Sequence, residues 1–278
     1  GRFARGGRGA QRVRKRLRLG KATPAVLLAY LVLIAAALGV PIAASVYWML
    51  EGGIHPLTGV SLPAAAAYTA AYSAVAAALS TLAALPVALL VVRRPSPLHL
   101  LLERSTFLVL AMPGLVVALA FVYFSEQIAD GFGYQSPPLL VVAYSLLFFP
   151  LALVGVRASV LQAPVALEEI SGSLGVGRAA TFFRVTLRLI APGLGAAFCL
   201  VFLSCVTELT ATLILIPTGV QTLATQFWNY QQNLSYGQAA PFALVIIAIA
   251  AIPSYVLGRF FDRLPARAAV QGAGGGAS

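Results

Sequence analysis

"LEEISGSLGVGRAATFFRVTLRL", Leu167–Leu189, interrupts a chain built mostly of Ala, Leu, Val and Ile. It holds two acids, three arginines, three glycines and a Phe-Phe pair. Pro164, just ahead of it, is suited to the first turn of a helix. Leu167, Ile170 and Leu174 then share one face at i, i+3 and i+7. Glu168 and Glu169 fall near the helix N-terminus, where acids interact favourably with the dipole. Gly175 and Gly177 end that helix and permit a sharp turn. A second helix starts near Arg178, with Ala179, Phe182, Phe183 and Leu187 as its apolar stripe. Arg184 and Arg188, spaced i and i+4, share another face. The spacing predicts a helix–turn–helix elbow, amphipathic in both arms. Such an elbow can lie flat on a membrane or insert into a partner's groove. A surface helix does not need a tight glycine turn, which favours docking.

The rest of the chain sets the elbow's surroundings. The protein has 278 residues, is 60% hydrophobic and only 10% charged, and has a mean hydropathy of +0.89. Soluble domains carry about 25% charged residues. Several long apolar stretches leave an all-α membrane protein as the class that fits. Two cysteines, Cys199 and Cys205, lie in one apolar stretch and make neither a disulfide framework nor a metal cluster. Nine of the nineteen Lys and Arg residues sit in the first 21 positions. That arm is too poor in apolar residues to fold alone and is not a signal peptide. A nucleic-acid arm is one reading of such a run. Beside a membrane span, an anchor on anionic lipid fits better, with no nucleic acid involved.

A spanning helix needs about 20 apolar residues. Six stretches qualify: about Pro24–Leu50, Ala65–Val92, Ser105–Phe124, Pro138–Val160, Ile190–Ile216 and Ala239–Phe260. Pro41 is expected to kink the first. With the N-terminus in the cytoplasm, the loops Glu51–Ala64, Ser125–Pro137 and Pro217–Gln238 are outside and hold no Lys or Arg. Arg93, Arg94 and Arg104 fall inside, as do Arg157, the three arginines of the elbow and the C-terminal Arg259, Arg263 and Arg267. The excess of basic residues on one side predicts that both termini are cytoplasmic. The expected domains are a basic arm over 1–22, a transmembrane domain over 23–262 with its loop at about 161–189, and a disordered tail over 263–278.

A phosphate-cradling loop needs a lysine, and neither Lys15 nor Lys21 fits one. No zinc-protease or nucleophile-elbow motif is present. His55 and His99 are assigned to opposite sides of the membrane. An intramembrane enzyme would need catalytic polar groups in the spans, which hold very few. Glu208, assigned to the fifth span, is the exception. An acid at a helix centre costs about 2.5–3.5 kcal/mol on insertion scales, so it should face the bundle interior or water. A pathway or gate role, with Thr212 on the same run, and a plain hydrogen-bonded site near the span's end are equally open. Pro113 must bend the third span; an ordinary kink is favoured over a gating hinge. Trp228, Tyr230 and Tyr236 suit an interface belt, and a docking surface for an external partner is the other reading.

The elbow resembles the cytoplasmic signature loop of ABC importer membrane subunits. That pattern reads Glu-Ala-Ala, three residues, Gly, nine residues, then Ile-x-Leu-Pro. Glu169, Ile170 and Ser171 take the Glu-Ala-Ala places, and Gly175 stands at the expected spacing. Val185, Thr186, Leu187 and Arg188 take the last four places, so both alanines and the proline are replaced. The resemblance implies about six transmembrane helices of the binding-protein-dependent permease type, with a coupling loop between spans 4 and 5. It implies a permease subunit that is not itself an enzyme and binds no cofactor. ATP-Mg would sit on a partner, a cytoplasmic ABC ATPase dimer docked through Leu167, Glu168, Glu169, Ile170, Ser171, Leu174, Gly175, Arg178, Phe182, Phe183 and Leu187. Further implied partners are a second permease half, an extracytoplasmic substrate-binding protein and membrane lipid. The location would be a bacterial or archaeal inner membrane.

"ELTATLILIPTGVQTLATQFWNY" adds a narrower resemblance, to the fifth-span end of ferric-iron importer permeases. Glu208, Leu209, Ala211, Thr212, Leu213, Pro217, Thr218, Gly219, Thr222, Leu223, Ala224 and Thr225 match in place. Those permeases are typically two fused halves, and the basic start without Met resembles the linker between them. This implies ferric iron as substrate. Thiamine, polyamine and phosphonate importers share the architecture and stay open. Glu208, a single carboxylate, suits a hard cation without making a metal site. A membrane scaffold docking some other partner is the remaining class.

Overall fold

A computed structural model of the chain describes residues 20–52, 61–94, 96–128 and 133–273. Among these the protein is all-helical, with no strand. The helices are α1 (Thr23–Glu51), α2 (Leu62–Arg93), α3 (Pro97–Ala111), α4 (Gly114–Gln127), α5 (Pro137–Leu147), α6 (Phe149–Gln162), α7 (Val165–Ser173), α8 (Arg178–Val206), α9 (Thr210–Leu215), α10 (Leu223–Gln232) and α11 (Tyr236–Ala273). Four are long and apolar enough to cross a membrane, and the bent pairs α3–α4 and α5–α6 bring the number to six. Each of the six expected spans thus has a helical counterpart, but the third, fourth and fifth differ in form from the expectation, the fourth being bent by 55° between α5 and α6.

The third span is not one kinked helix. Its halves, α3 and α4, meet at 102°. Pro113 is extended and starts α4 instead of bending a continuous helix. A proline N–H cannot join the ladder, and the residue before it, Met112, is extended as well. The fifth span is shifted. It begins at Arg178, because nothing between Gly177 and Ile190 breaks a helix, and it ends at Val206. The second arm of the elbow is therefore the leading end of α8 and not a separate short helix. Glu208, expected within that span, lies in the break between α8 and α9. In α1 a π-turn at Ala35–Gly39 precedes Pro41, where the missing N–H loosens the ladder. The last helix continues to Ala273, through part of the expected disordered tail, whose Ala, Leu and Arg are good helix formers. The basic arm, apart from Gly20, Lys21 and Ala22, lies outside the described residues, as do His55 and the chain after Ala273.

The chain divides into two compact units between Ala44 and Ser45, within α1. In the first, Pro24 occupies the opening turn of α1, and the Thr23 hydroxyl donates to the Gly20 carbonyl at 2.8 Å. The second unit is built on α2, α6 and α8, which pack against one another. Lipid gives helices no hydrophobic reason to associate, so close approach through small residues must hold them. Ala76, Ala77, Ala84 and Ala88 of α2 are fully buried, as are Ala152 of α6 and Ala197 of α8. Gly155 and Ser159, one turn apart on α6, face Gly193 and Ala197 on α8. A Cβ on Gly155 would lie 2.8 Å from the Ala197 Cβ, and one on Gly193 would lie 1.4 Å from the Ser159 Oγ. Serines join α2 to α5: Ser80 donates to the Ser145 carbonyl at 2.9 Å, and Ser145 donates to Ala76 at 3.3 Å and Val141 at 2.7 Å.

Gly193→Val is expected to destabilise this contact by about 1–3 kcal/mol, the usual cost of overpacking. A lower thermal midpoint in detergent would show it. A midpoint equal to that of the wild type would contradict the close approach.

Beyond the α8 break, α9 leads to a turn at Pro217–Val220, closed by Val220 N–H donating to the Pro217 carbonyl at 3.1 Å. Gly219 has φ +81, a conformation that favours glycine. Thr222 and Thr225 form a reciprocal cap on α10, and the Leu223 N–H donates to Thr69 Oγ1 on α2 at 2.9 Å. Leu223, Ala65 and Phe242 make a second small core. Tyr230 stacks on Phe242 at 5.6 Å and Tyr236 meets Trp48 at 5.1 Å, so both rings are engaged within the protein.

Candidate functional site: the elbow and the break at Glu208

The elbow forms as the glycine spacing requires. Gly175 has φ +78, and α7 ends in a double-bonded turn. Val176 N–H donates to the Ser171 carbonyl at 3.1 Å, and Gly175 N–H donates to the Gly172 carbonyl at 3.0 Å. The Ser171 and Thr181 hydroxyls, both buried, bond at 2.9 Å and staple α7 to the start of α8. Ser171 therefore works inside the elbow.

The apolar face of α7 points outward. Leu167 is 41% exposed, Ile170 54% and Leu174 77%. Glu169 and Arg178 are exposed beside it, and so is Phe183, whose ring meets that of Phe182 edge-on at 5.2 Å. Phe182 is half-buried, and Leu187 packs on the main core. An open groove of about 770 Å³ runs between the elbow and the end of α2, lined by Arg94, Glu168, Glu169, Gly172, Val176 and Arg178 among others.

Glu168 is held by bonds to neighbouring elements. Its Oε1 accepts from Arg93 Nη2 at 2.7 Å and from Thr186 Oγ1 at 3.0 Å. Arg93 is the last residue of α2 and counted in the sequence only as a basic charge near a span end. Nothing local in the sequence pairs it with Glu168. A second ion pair, Arg157 with the buried Glu103, ties α6 to α3.

The other candidate residues converge at two helix breaks, between α3 and α4 and between α8 and α9. Glu208 is half-buried, and its Oε1 accepts from Ala211 N–H at 2.9 Å, capping α9. Thr212 donates to the Glu208 carbonyl at 2.6 Å and also bonds the buried Tyr144 hydroxyl. A Cβ placed on Gly114 would lie 3.1 Å from Glu208 Oε1, so the carboxylate rests against the residue that follows Pro113. Thr69, Tyr72, Ser73 and Thr222 line the small space around it. Pro113, Glu208 and Thr212 thus belong to one locus. Gly114, of the Met112–Gly114 run, and Tyr144 complete it, and no motif in the sequence pointed to Tyr144. Among the described residues, no three of His, Cys, Asp and Glu come together as metal ligands.

Comparison with known proteins gives this arrangement its family. The family model "Binding-protein-dependent transport system inner membrane component" matches residues 80–269, which include both broken spans and the elbow. The chain belongs to this family. It is a multi-pass protein of the inner membrane. It is 35% identical over 225 residues to the Fe(3+)-transport system permease protein FbpB 2 of Haemophilus influenzae, covering 80% of this chain and 44% of that one. The chain thus spans less than half the length of that relative. It is 29% identical over 189 residues to the molybdenum transport system permease protein ModB of Escherichia coli K12, covering 63% of this chain and 82% of that one. These relatives are transport permeases and not enzymes. In fold, the chain is similar to a chain of the MetNI methionine ABC transporter in an inward-facing conformation. The TM-score is 0.55 at 18% identity, over 72% of this chain and 95% of that one.

Proposed function

We propose that this chain is a membrane-spanning half of an ATP-driven importer. It lines a translocation path with a second permease half and takes its driving force from a separate ATPase through the elbow. The observation that carries this reading is the α7 face. A permease of this family needs a surface that a partner can push. Leu167, Ile170 and Leu174 offer an apolar knob on a helix fixed to its neighbours by buried or half-buried bonds. The knob fits helix-in-groove docking, with Glu169 and Arg178 as charged neighbours that set register. ATP and Mg would be bound and turned over by the ATPase. This chain's residues would transmit the resulting motion and open the path on alternate sides of the membrane. In this reading the elbow faces the cytoplasm.

Ferric iron, delivered by an extracytoplasmic binding protein, is the proposed substrate. The reading rests on the similarity to the Haemophilus influenzae iron permease and on the run from Glu208 to Thr225. A carboxylate beside the two helix breaks suits a hard cation. Molybdate is the second reading, favoured by the similarity to ModB. Thiamine, polyamine or phosphonate transport is the more distant alternative. Uptake by proteoliposomes holding the importer, its ATPase and its binding protein separates these readings. Ferric ion is expected to accumulate with ATP, and molybdate is not. Molybdate uptake without ferric uptake would overturn the iron assignment.

A further inference from the structure

The geometry points to Glu168 as a positioning residue: its bonds to Arg93 and Thr186 make the elbow move as one block with the ends of α2 and α8. The inference rests on the coupling role proposed above for the elbow and adds how a push on α7 would reach the spans. The two adjacent acids of α7 differ in their bonding, although both line the groove beside the elbow. Glu169 is exposed beside the apolar face of α7, whereas Glu168 is half-buried and paired with Arg93. The Arg93 guanidinium bonds Glu168 through Nη2 at 2.7 Å, and the same nitrogen donates to the Ala163 carbonyl at 3.2 Å. Ala163 lies in the turn between α6 and α7. Thr186, at the end of a π-turn in α8, donates to the same carboxylate oxygen at 3.0 Å. One guanidinium and one carboxylate therefore join four pieces of backbone: the end of α2, the turn after α6, α7 itself and the leading end of α8.

The side chains of Arg93 and Glu168 are 18% and 27% exposed. Partial burial reduces screening, so this pair holds its partners more firmly than an ordinary surface pair. The Arg93 Nε is buried without a hydrogen bond. A pair serving stability alone would gain from a two-pronged arginine–carboxylate contact that also uses Nε. Here the guanidinium instead spends its second contact on the Ala163 carbonyl, tying down the base of the elbow. With the Ser171–Thr181 bond as a second staple, α7 cannot pivot on its Gly175 turn without breaking charged contacts. A push on Ile170 or Leu174 is then delivered to α2 and α8 together.

The test uses the complete importer with its ATPase in proteoliposomes. The binding protein is loaded with ferric ion, or with molybdate if the uptake assay selects it. Glu168→Gln and Arg93→Met are each expected to retain the ATPase on purification. Each should lower the substrate moved per ATP by about tenfold, with the double variant no worse than either single, as for groups acting as one unit. A purely structural role would reduce the amount of folded complex and leave the yield per ATP unchanged. Unchanged yield in both singles, or losses that multiply in the double, would overturn the proposal. If Arg93→Met fails to assemble, Thr186→Val combined with Glu168→Gln closes the same cycle across the 3.0 Å bond. Failure of the coupling role itself reads out separately, as an ATPase that stays bound and coupled when Glu169 on the docking face is reversed to Lys.

Discussion

Glu169→Lys and Gly175→Val are both expected to leave the chain in the membrane and to abolish ATP-driven transport. They act by different routes. Glu169 is exposed and has no partner role in the elbow's own bonding, so its reversal should not disturb the fold. Placing a like charge where a partner expects an acid costs about 2–5 kcal/mol at an interface, or roughly thirtyfold or more in ATPase affinity. Gly175 has φ +78 and open space where a Cβ would go, so valine there strains the backbone without a clash. A β-branched residue resists that conformation by about 1–3 kcal/mol, enough to reshape the turn and misdirect the α7 face. Co-purification of the ATPase and transport per ATP are the measurements. Wild-type values of both in both variants would remove the docking role from the elbow.

The second large effect is expected at Glu208. Glu208→Gln keeps an oxygen able to accept from Ala211 N–H, so the cap on α9 survives and only the charge is lost. Ferric uptake is expected to fall by about tenfold or more, equivalent to about 1.4 kcal/mol of lost stabilisation for the passing cation. Glu208→Asp, with the charge retained on a shorter stem, should lose less. Equal uptake in wild type and Glu208→Gln across a range of pH would reduce Glu208 to a helix cap. A rise in molybdate uptake in Glu208→Gln would instead favour an oxyanion path.

The sequence was most informative where chemistry is local. Gly175, ten residues before Val185 and six after Glu169, announced the turn that the φ of +78 requires. Hydropathy located the four long helices and the two bent pairs because a membrane helix must satisfy its backbone internally over a long apolar run. The same averaging hid the breaks. Two extended residues at Met112–Pro113 and three irregular ones at Thr207–Leu209 hardly alter the hydropathy of a long window. Glu208 was consequently placed inside a helix that ends at Val206. The bonding role of Glu168 was illegible for another reason. Arg93 is 75 positions away, and Thr186 is 18 positions away across a turn. Two neighbouring acids look alike in a sequence until packing gives one of them partners. Gly193 shows the same limit: its value lies in Ser159 of another helix.

The docking of the elbow is tested most directly by site-specific photo-crosslinking in membranes that contain the whole importer. A photoreactive residue is placed at Leu174, the most exposed position of the α7 face, and in a control at the exposed Leu82 of α2. The expected result is an ATPase adduct from position 174 and none from position 82, with the adduct lost when Gly175→Val is added. Absence of any ATPase adduct from positions 167, 170 and 174, with and without nucleotide, would contradict the elbow as the point where ATP-driven work enters this protein.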